Sequence, residues 1–448
     1  MQQVQRTNWH TLIVGLGKTG LSIARYLSAT DVPFAVMDTR MNPPSADVLR
    51  AEFPTIERYF GGLSAEVMCS AQRLITSPGI ALATPEIEKA RSLGIEVIGD
   101  IELFARVAKA PIVAITGSNG KTTVTTLLNA MAKQAGVKVA TGGNIGMPAL
   151  ELLNQRKTEL YILELSSFQL ETTESLKCKA ACILNVTEDH LDRYCGRMDL
   201  YAAAKAKIYK NCEVKIVNRD DQIVVNLARD SLATSFGHAP ACAGDFGVLL
   251  FEGSRWLAKG EKRLLNTRDM KVSGKHNEVN ALAALALAEA VGLDQQACLK
   301  ALTAFEGLEH RTQWVGQHNG IHWYNDSKGT NVGATVAAMQ GLSGKTVLLA
   351  GGQGKEADFS PLADVIQKYA RAVVLFGEDA ETIALALKGD IPIVFANDMC
   401  DAVKQAKSLA NIGDNVLLSP ACASFDMFKN YEQRGHVFMD TVRQEVLC

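Results

Sequence analysis

Ile112-Val113-Ala114-Ile115-Thr116-Gly117-Ser118-Asn119-Gly120-Lys121-Thr122-Thr123 runs from an apolar stretch into a glycine-bracketed polar turn, and a helical pattern follows at 127–134. Strand, turn and helix in that order make a phosphate loop. Small residues let consecutive backbone N–H groups point at phosphate oxygens, and the helix N-terminus adds the positive end of its dipole. Lys121 is then placed to neutralise β- and γ-phosphates, and the Thr122 hydroxyl to ligate Mg²⁺. Ile115 stands where the generic GxxxxGK[ST] pattern has its first glycine, so only Gly117 precedes Gly120 within the loop.

Outward from this loop, short β-rich runs alternate with helical patterns, and most end in turns bearing Gly, Asp, Asn or Ser, which predicts an α/β chain. The 448 residues exceed what one core usually organises. Three domains are expected. Residues 1–104 hold predicted strands at 11–14, 34–37, 73–76 and 95–98, with a helix at 21–28, and read as Rossmann-like and nucleotide-binding. Residues 105–307 hold strands at 112–115, 160–164, 181–184 and 214–217 and an Ala/Leu-rich helix at 281–291, a central ATPase-like domain with a mainly parallel sheet. Residues 308–448, after Phe305-Glu306-Gly307, hold strands at 321–324, 346–350, 372–376, 393–395 and 415–419, a second Rossmann-like unit. No repeat of fixed period and no low-complexity segment interrupts them.

Composition narrows the function classes. A formal net charge of −2 supplies no pull toward nucleic acid or an anionic membrane surface. The start is polar and Lys18 cuts short the apolar run at 11–16, which predicts neither signal peptide nor membrane span, hence a cytoplasmic protein. Ten cysteines without a CxxC pair argue against a zinc knuckle or a disulfide framework.

A second glycine motif, Gly15-Leu16-Gly17-Lys18-Thr19-Gly20, also lies between strand and helix, and Asp38 ends the next strand where a ribose-binding carboxylate would sit. Spacing alone leaves NAD(P), another nucleotide and no ligand open. In the central region Glu164 falls at a strand end, a suitable Mg²⁺ ligand, and the next strand runs into Asn185-Val186-Thr187-Glu188-Asp189-His190. For His190 a structural and a site role stand level, since a lone histidine is usually structural. Lys205 reads as a solvated helix lysine, not preferred over Lys207 or Lys210. The third region adds His310-Arg311, Asn325–Asn331 with Asp326 and Lys328, Gly351-Gly352-Gln353-Gly354-Lys355, and Ser419–Asp426. Apart from His310-Arg311, these are polar or Gly-rich turns at predicted strand ends, the edge where open α/β sheets bind ligands.

Taken in order, the phosphate loop, Asn144 in Gly142-Gly143-Asn144-Ile145-Gly146, Glu164-Leu165-Ser166-Ser167-Phe168-Gln169, the segment 185–191, His276-Asn277, Glu309-His310-Arg311, the segment 325–331 and the segment 419–435 resemble the Mur ligases of peptidoglycan synthesis. Asp38-Thr39-Arg40, Ser77-Pro78-Gly79 and the stretch from Ala421 to Gly435 look most like the members that add D-glutamate. The resemblance covers essentially the whole chain.

The resemblance implies an ATP-dependent amide ligase: the carboxylate of UDP-MurNAc-L-Ala takes the γ-phosphoryl group, and the amine of D-glutamate attacks the acyl phosphate. It implies a monomer acting on small molecules alone, with a pair of Mg²⁺ ions. It puts the uracil nucleotide on Lys18, Thr19, Asp38, Thr39, Arg40, Ser77 and Gly79, with Asn144 and His190 beside the muramoyl-alanine end. ATP falls to Gly117, Ser118, Asn119, Gly120, Lys121, Thr122, Thr123, Asn277, Asn280, Arg311 and Asp326. Thr122, Glu164, His190 and a carbamylated Lys205 meet the metals, and D-glutamate lies against Lys328, Thr330, Lys355, Ser424, Phe425 and Tyr431. Lys121, His190, Lys205 and Lys328 become the catalytic set. Two rivals remain at this stage, another Mur or folylpolyglutamate-type ligase and an NAD(P)-dependent oxidoreductase built on Gly15–Gly20.

Overall fold

Three sheets follow one another along the chain in this computed structural model, which describes residues 9–447 apart from 230–232, 273, 355–356 and 388. The first holds β1 (Thr11–Val14), β2 (Phe34–Asp38), β3 (Arg58–Phe60), β4 (Arg73–Thr76) and β5 (Glu96–Gly99), ordered β3-β2-β1-β4-β5 and parallel throughout. Parallel neighbours need crossovers, so helices such as Lys18–Ala29 cover the faces, and β1 and β2 are buried along their whole length. Strand order reverses between β1 and β4. That reversal opens a crevice at the carboxyl ends, where the Gly15–Gly20 turn lies.

The second sheet holds β6 (Ile112–Thr116), β7 (Val139–Gly143), β8 (Leu160–Glu164), β9 (Cys178–Ile183), β10 (Cys212–Asn218), β11 (Ala233–Phe236), β12 (Phe246–Phe251), β13 (Ser254–Lys259) and β14 (Lys262–Asn266). Its order is β14-β13-β12-β11-β10-β9-β6-β8-β7, antiparallel only at the β12-β13-β14 edge. β6 lies between β9 and β8, so the phosphate loop, Glu164 and the chain after β9 leave the sheet side by side.

The third sheet holds β15 (Gln313–His318), β16 (Ile321–Asn325), β17 (Thr346–Gly351), β18 (Ala370–Phe376), β19 (Ile393–Phe395) and β20 (Asn415–Leu418), ordered β15-β16-β20-β17-β18-β19. β16, β20 and β17 are adjacent and parallel, so the turns expected to share one edge do share it. β15 joins β16 as an antiparallel hairpin through Asn319 and Gly320, both with positive φ (50° and 75°), as a tight primed turn requires.

The first and second sheets share one hydrophobic core, bridged by the helix Asp100–Val107. Phe104 is fully buried and meets Tyr161 of β8 edge-on at 5.0 Å. Residue 104 therefore lies inside a helix, and the chain crosses to the second sheet over 108–111. The third sheet has its own apolar layer on each face. Among the described residues no helix is long and apolar enough to cross a membrane.

Candidate active site

β6 stays a strand through Thr116, with Ile115 fully buried between β8 and β9, so the loop is a short turn that needs no glycine at position 115. Gly120 carries φ +84°, and a Cβ there would come 2.6 Å from Asn280 Oδ1, which restricts the position to glycine on two counts. The segment after β9 grips the loop. Ser118 Oγ donates to the Thr187 carbonyl at 2.9 Å and accepts from Thr187 N at 3.0 Å, while Asn119 N donates to Asn185 Oδ1 at 2.8 Å. Both sides of the loop are thus fixed before any phosphate arrives, which lowers the ordering cost of binding.

Lys121, first residue of the helix Lys121–Gln134, donates to the carbonyls of Gly117 (2.7 Å) and Ser118 (2.9 Å). Lys205 donates to the same Gly117 carbonyl at 3.0 Å and lies 4.4 Å above the Tyr201 ring. With 1% exposure it is no solvated helix lysine; the surface lysines are Lys207 and Lys210, which pair with Glu174. Burial, reinforced by the nearby Lys121 charge, holds the Lys205 amine well below the usual lysine range, and burial lowers Lys121 as well.

Glu164 ends β8 and is followed by a capping box, in which Ser166 Oγ accepts from Gln169 N at 3.2 Å and Gln169 Oε1 accepts from Ser166 N at 3.1 Å. The box fixes the turn and hence the carboxylate. Asn144 Nδ2 donates to Glu164 Oε1 at 2.9 Å, whereas the buried Oε2 has no hydrogen-bond partner among the described residues. An orphaned buried carboxylate oxygen beside a phosphate loop fits a Mg²⁺ ligand. Thr122 is half-buried in the first turn of the helix, as such a site also requires.

Around this centre lie two larger cavities. One, of about 290 Å³, is lined by Asn119, Gly120, Thr123, Asn277, Asn280, Arg311, Asp326 and Lys328, joining the second and third sheets. Arg311 is lowered by burial, an effect opposed by Glu164 and Asp326, and burial pushes Asp326 up to about 6 while it accepts from Thr312 N (2.9 Å) and Ser419 Oγ (2.7 Å). Asn218, Asp220, His238, His276 and the alanine face of the helix Val332–Gly341 line it too, and sequence reasoning named none of these as site residues. Asn218 ends β10, so the rule that found Glu164 would have found it.

The other cavity, of about 610 Å³, gathers Lys18, Thr19, Thr39, Arg40, Ser77 and Gly79 from the first sheet with Asn144 and Gln169 from the second. Asp38 is not in its lining. Its fully buried carboxylate accepts from Leu16 N at 2.6 Å, from Arg40 N at 2.9 Å and from Arg40 Nη2 at 2.8 Å, so its oxygens are committed to orienting Arg40 rather than a ribose.

The residues expected around the amino acid come together only in part. Lys328 Nζ donates to Tyr431 OH at 3.0 Å, and burial with repulsion from Arg311 brings the lysine down to about 8. Thr330 lines a separate small cavity with His190 and Asn331. Ser424 is buried, Phe425 is 68% exposed, and Lys355 falls outside the described residues. His190 has φ +55°, packs edge-on against Phe168 at 5.0 Å and sits 3.6 Å from Asp189 Oδ2. It lines the cavity with Thr330, not either of the two larger ones.

Residues 9–99 match the Mur ligase MurD-like N-terminal domain, residues 115–288 the Mur ligase middle domain, and residues 310–422 the Mur ligase glutamate ligase domain. The chain belongs to the Mur ligase family. The UDP-N-acetylmuramoylalanine–D-glutamate ligase of Nitrosococcus oceani is 51% identical over 443 residues, 98% of this chain and 97% of its own. That of Pseudomonas aeruginosa is 51% identical over 438 residues, 97% of each chain. Among solved structures, a MurF ligase from Thermotoga maritima in complex with ADP superimposes with a TM-score of 0.61 at 17% identity, covering 99% of this chain and 97% of that one. UDP-N-acetylmuramate-alanine ligase MurC from the same organism gives 0.59 at 20%, covering 97% and 99%. At such identities the structural likeness speaks for the fold.

Proposed function

We propose that this chain is an ATP-dependent ligase that joins D-glutamate to UDP-N-acetylmuramoyl-L-alanine through an acyl phosphate, in peptidoglycan precursor synthesis. One observation carries the chemistry: Asn144 lines the cavity of the first glycine turn and also donates to Glu164, whose charge acts on Lys121, Arg311 and Lys328. A substrate lying along the first cavity thereby ends beside the phosphate loop. The half-identical relatives, matched end to end, supply the specificity of the reading.

In this reading the 290 Å³ cavity takes ATP between Asn277, Asn280 and the phosphate loop, with Arg311 and Asp326 contributed by the third sheet. Lys121 and Arg311 spread the charge that keeps a carboxylate from approaching a γ-phosphate. Glu164 and Thr122, with His190 and a carbamate on Lys205, would hold Mg²⁺, which would supply further charge neutralisation there. The depressed Lys205 amine suits carbamylation: its neutral form attacks CO₂, a C–N bond forms and the nitrogen passes one proton to water, so that a neutral amine becomes an anionic oxygen ligand. Lys328, with Thr330, Lys355, Ser424, Phe425 and Tyr431, receives the carboxylates of the amino acid, whose amine then displaces phosphate. The enzyme works in the cytoplasm as a monomer, and light scattering checks the oligomeric state.

The test is ATP-dependent phosphate release from the purified protein with Mg²⁺ and UDP-MurNAc-L-Ala, offering D-Glu, L-Glu, L-Ala or meso-diaminopimelate. Release that requires D-Glu and yields the amide is expected. Release with another of these amino acids would move the chain to a sister activity.

A further inference from the structure

The helix Val332–Gly341 is capped by Asn331, whose Oδ1 accepts from Ala334 N at 2.9 Å. A cap needs only an acceptor, yet this carboxamide does more. Asn119 Nδ2 of the phosphate loop donates to Asn331 Oδ1 at 3.2 Å, and Asn331 Nδ2 donates back to Asn119 Oδ1 at 3.1 Å and to Asp189 Oδ2 at 3.2 Å. The orientation is determined, because reversing the amide would set its NH₂ against the Ala334 N–H and its oxygen against the Asp189 carboxylate. The contact is also close. At Gly333 an added Cβ would stand 3.1 Å from Thr187 Oγ1 and 3.4 Å from Asn119 Nδ2.

On its other side Asn331 closes the turn that bears Lys328 and Thr330. That turn is stiff: Gly329 N donates to the Asp326 carbonyl at 2.8 Å, Ala421 N donates to the Gly329 carbonyl at 2.9 Å, and Lys328 is tied to Tyr431. A displacement of Asn119 is therefore passed to a rigid segment rather than absorbed by a loose one.

We propose that Asn331 is a positioning residue that couples the phosphate loop to the amino-acid turn, through its paired carboxamide and not through its capping of the helix. The inference rests on the two-step reaction proposed above. Phosphoryl transfer takes place at the phosphate loop and amine attack at the Lys328 turn, so breaking the pair should spare the first step and damage the second.

Two variants separate the roles. Asn331→Asp and Asn331→Ser each keep an oxygen that caps the helix and remove both N–H groups; Asp also sets a carboxylate against Asp189, while Ser adds no charge and serves if Asp fails to fold. Two assays separate the steps. Hydroxylamine, a small nucleophile with no need of the amino-acid turn, traps the acyl phosphate as a hydroxamate, and D-Glu ligation reports the complete reaction. The expected result is hydroxamate formation within about threefold of the unsubstituted enzyme in N331S, with KM for D-Glu raised about tenfold or more. Parallel losses in both assays, or an unchanged KM in a folded variant, would overturn the coupling. Failure of the functional reading is distinguishable, because the unsubstituted enzyme would then form no hydroxamate from ATP and UDP-MurNAc-L-Ala.

Discussion

The chain contains two glycine turns of the same design, each leaving a buried parallel strand and opening a helix, and they differ in what surrounds them. Around Gly117–Gly120 stand two lysines on one carbonyl, a buried carboxylate with an oxygen that has no partner among the described residues, and a clamp of hydrogen bonds from the segment after β9. Around Gly15–Gly20 the nearest strand-end carboxylate is fully committed to Arg40 and a backbone N–H, and Lys18 is exposed. A glycine turn at a helix N-terminus can bind an anion in either place; crowded, desolvated charge is what suits one of them to chemistry.

The largest predicted effect follows from that contrast. In the proposed reaction Lys121 is the cation that would meet the transferring phosphoryl group, so Lys121→Ala should lower kcat about 10³-fold, while direct titration should show the UDP substrate binding as before. Loss of nucleotide-substrate affinity in that variant would erase the distinction between the turns. Lys205→Ala should lose about 10²-fold, and a short carboxylic acid added to the buffer should restore part of it by standing in for the oxygens of the proposed carbamate; unaltered turnover would remove that proposal.

On the other turn, Arg40→Ala should raise KM for the UDP substrate about 30-fold with kcat little changed, the signature of a group that binds without acting on the transition state. Steady-state kinetics with the UDP substrate varied decides it. The smallest effect concerns pH. Lys328, lowered to about 8, loses its charge as pH rises through that value, so KM for D-Glu should climb a few-fold between about pH 7 and 9. Lys328→Arg, charged throughout, should flatten the climb. A KM that falls over that range would exclude Lys328 as the carboxylate partner.

The contrast between the turns was half legible in the sequence. The phosphate loop was readable because its demands are local: positive φ at Gly120, a helix start, Lys-Thr in register. The turns after β16, β17 and β20 were readable as separate strand ends, and the strand order brought them together as expected. What residue types and spacing alone leave open depends on partners far along the chain. Lys205 looks like its neighbours in the helix pattern until Gly117, 88 residues away, accepts from it. Asn331 and Asn119, 212 residues apart, carry no mark of their pairing. Asp38 has the spacing of a ribose ligand, and only the fold reveals that Arg40 and Leu16 consume its oxygens. The β12-β13-β14 edge and β15 escaped for a milder reason, since half-exposed strands interrupt the apolar runs that marked the buried ones, although Asn319-Gly320 was a hairpin signal in plain view.

Phosphorylation of the substrate carboxylate before the amine attacks can be followed with an isotope. With UDP-MurNAc-L-Ala labelled with ¹⁸O in its terminal carboxylate, the reaction is run with ATP and D-Glu and the released phosphate is weighed by mass spectrometry. One labelled oxygen is expected in each phosphate, because the oxygen that took the phosphoryl group leaves with it when the amide forms. Amide product accompanied by phosphate without label would contradict it.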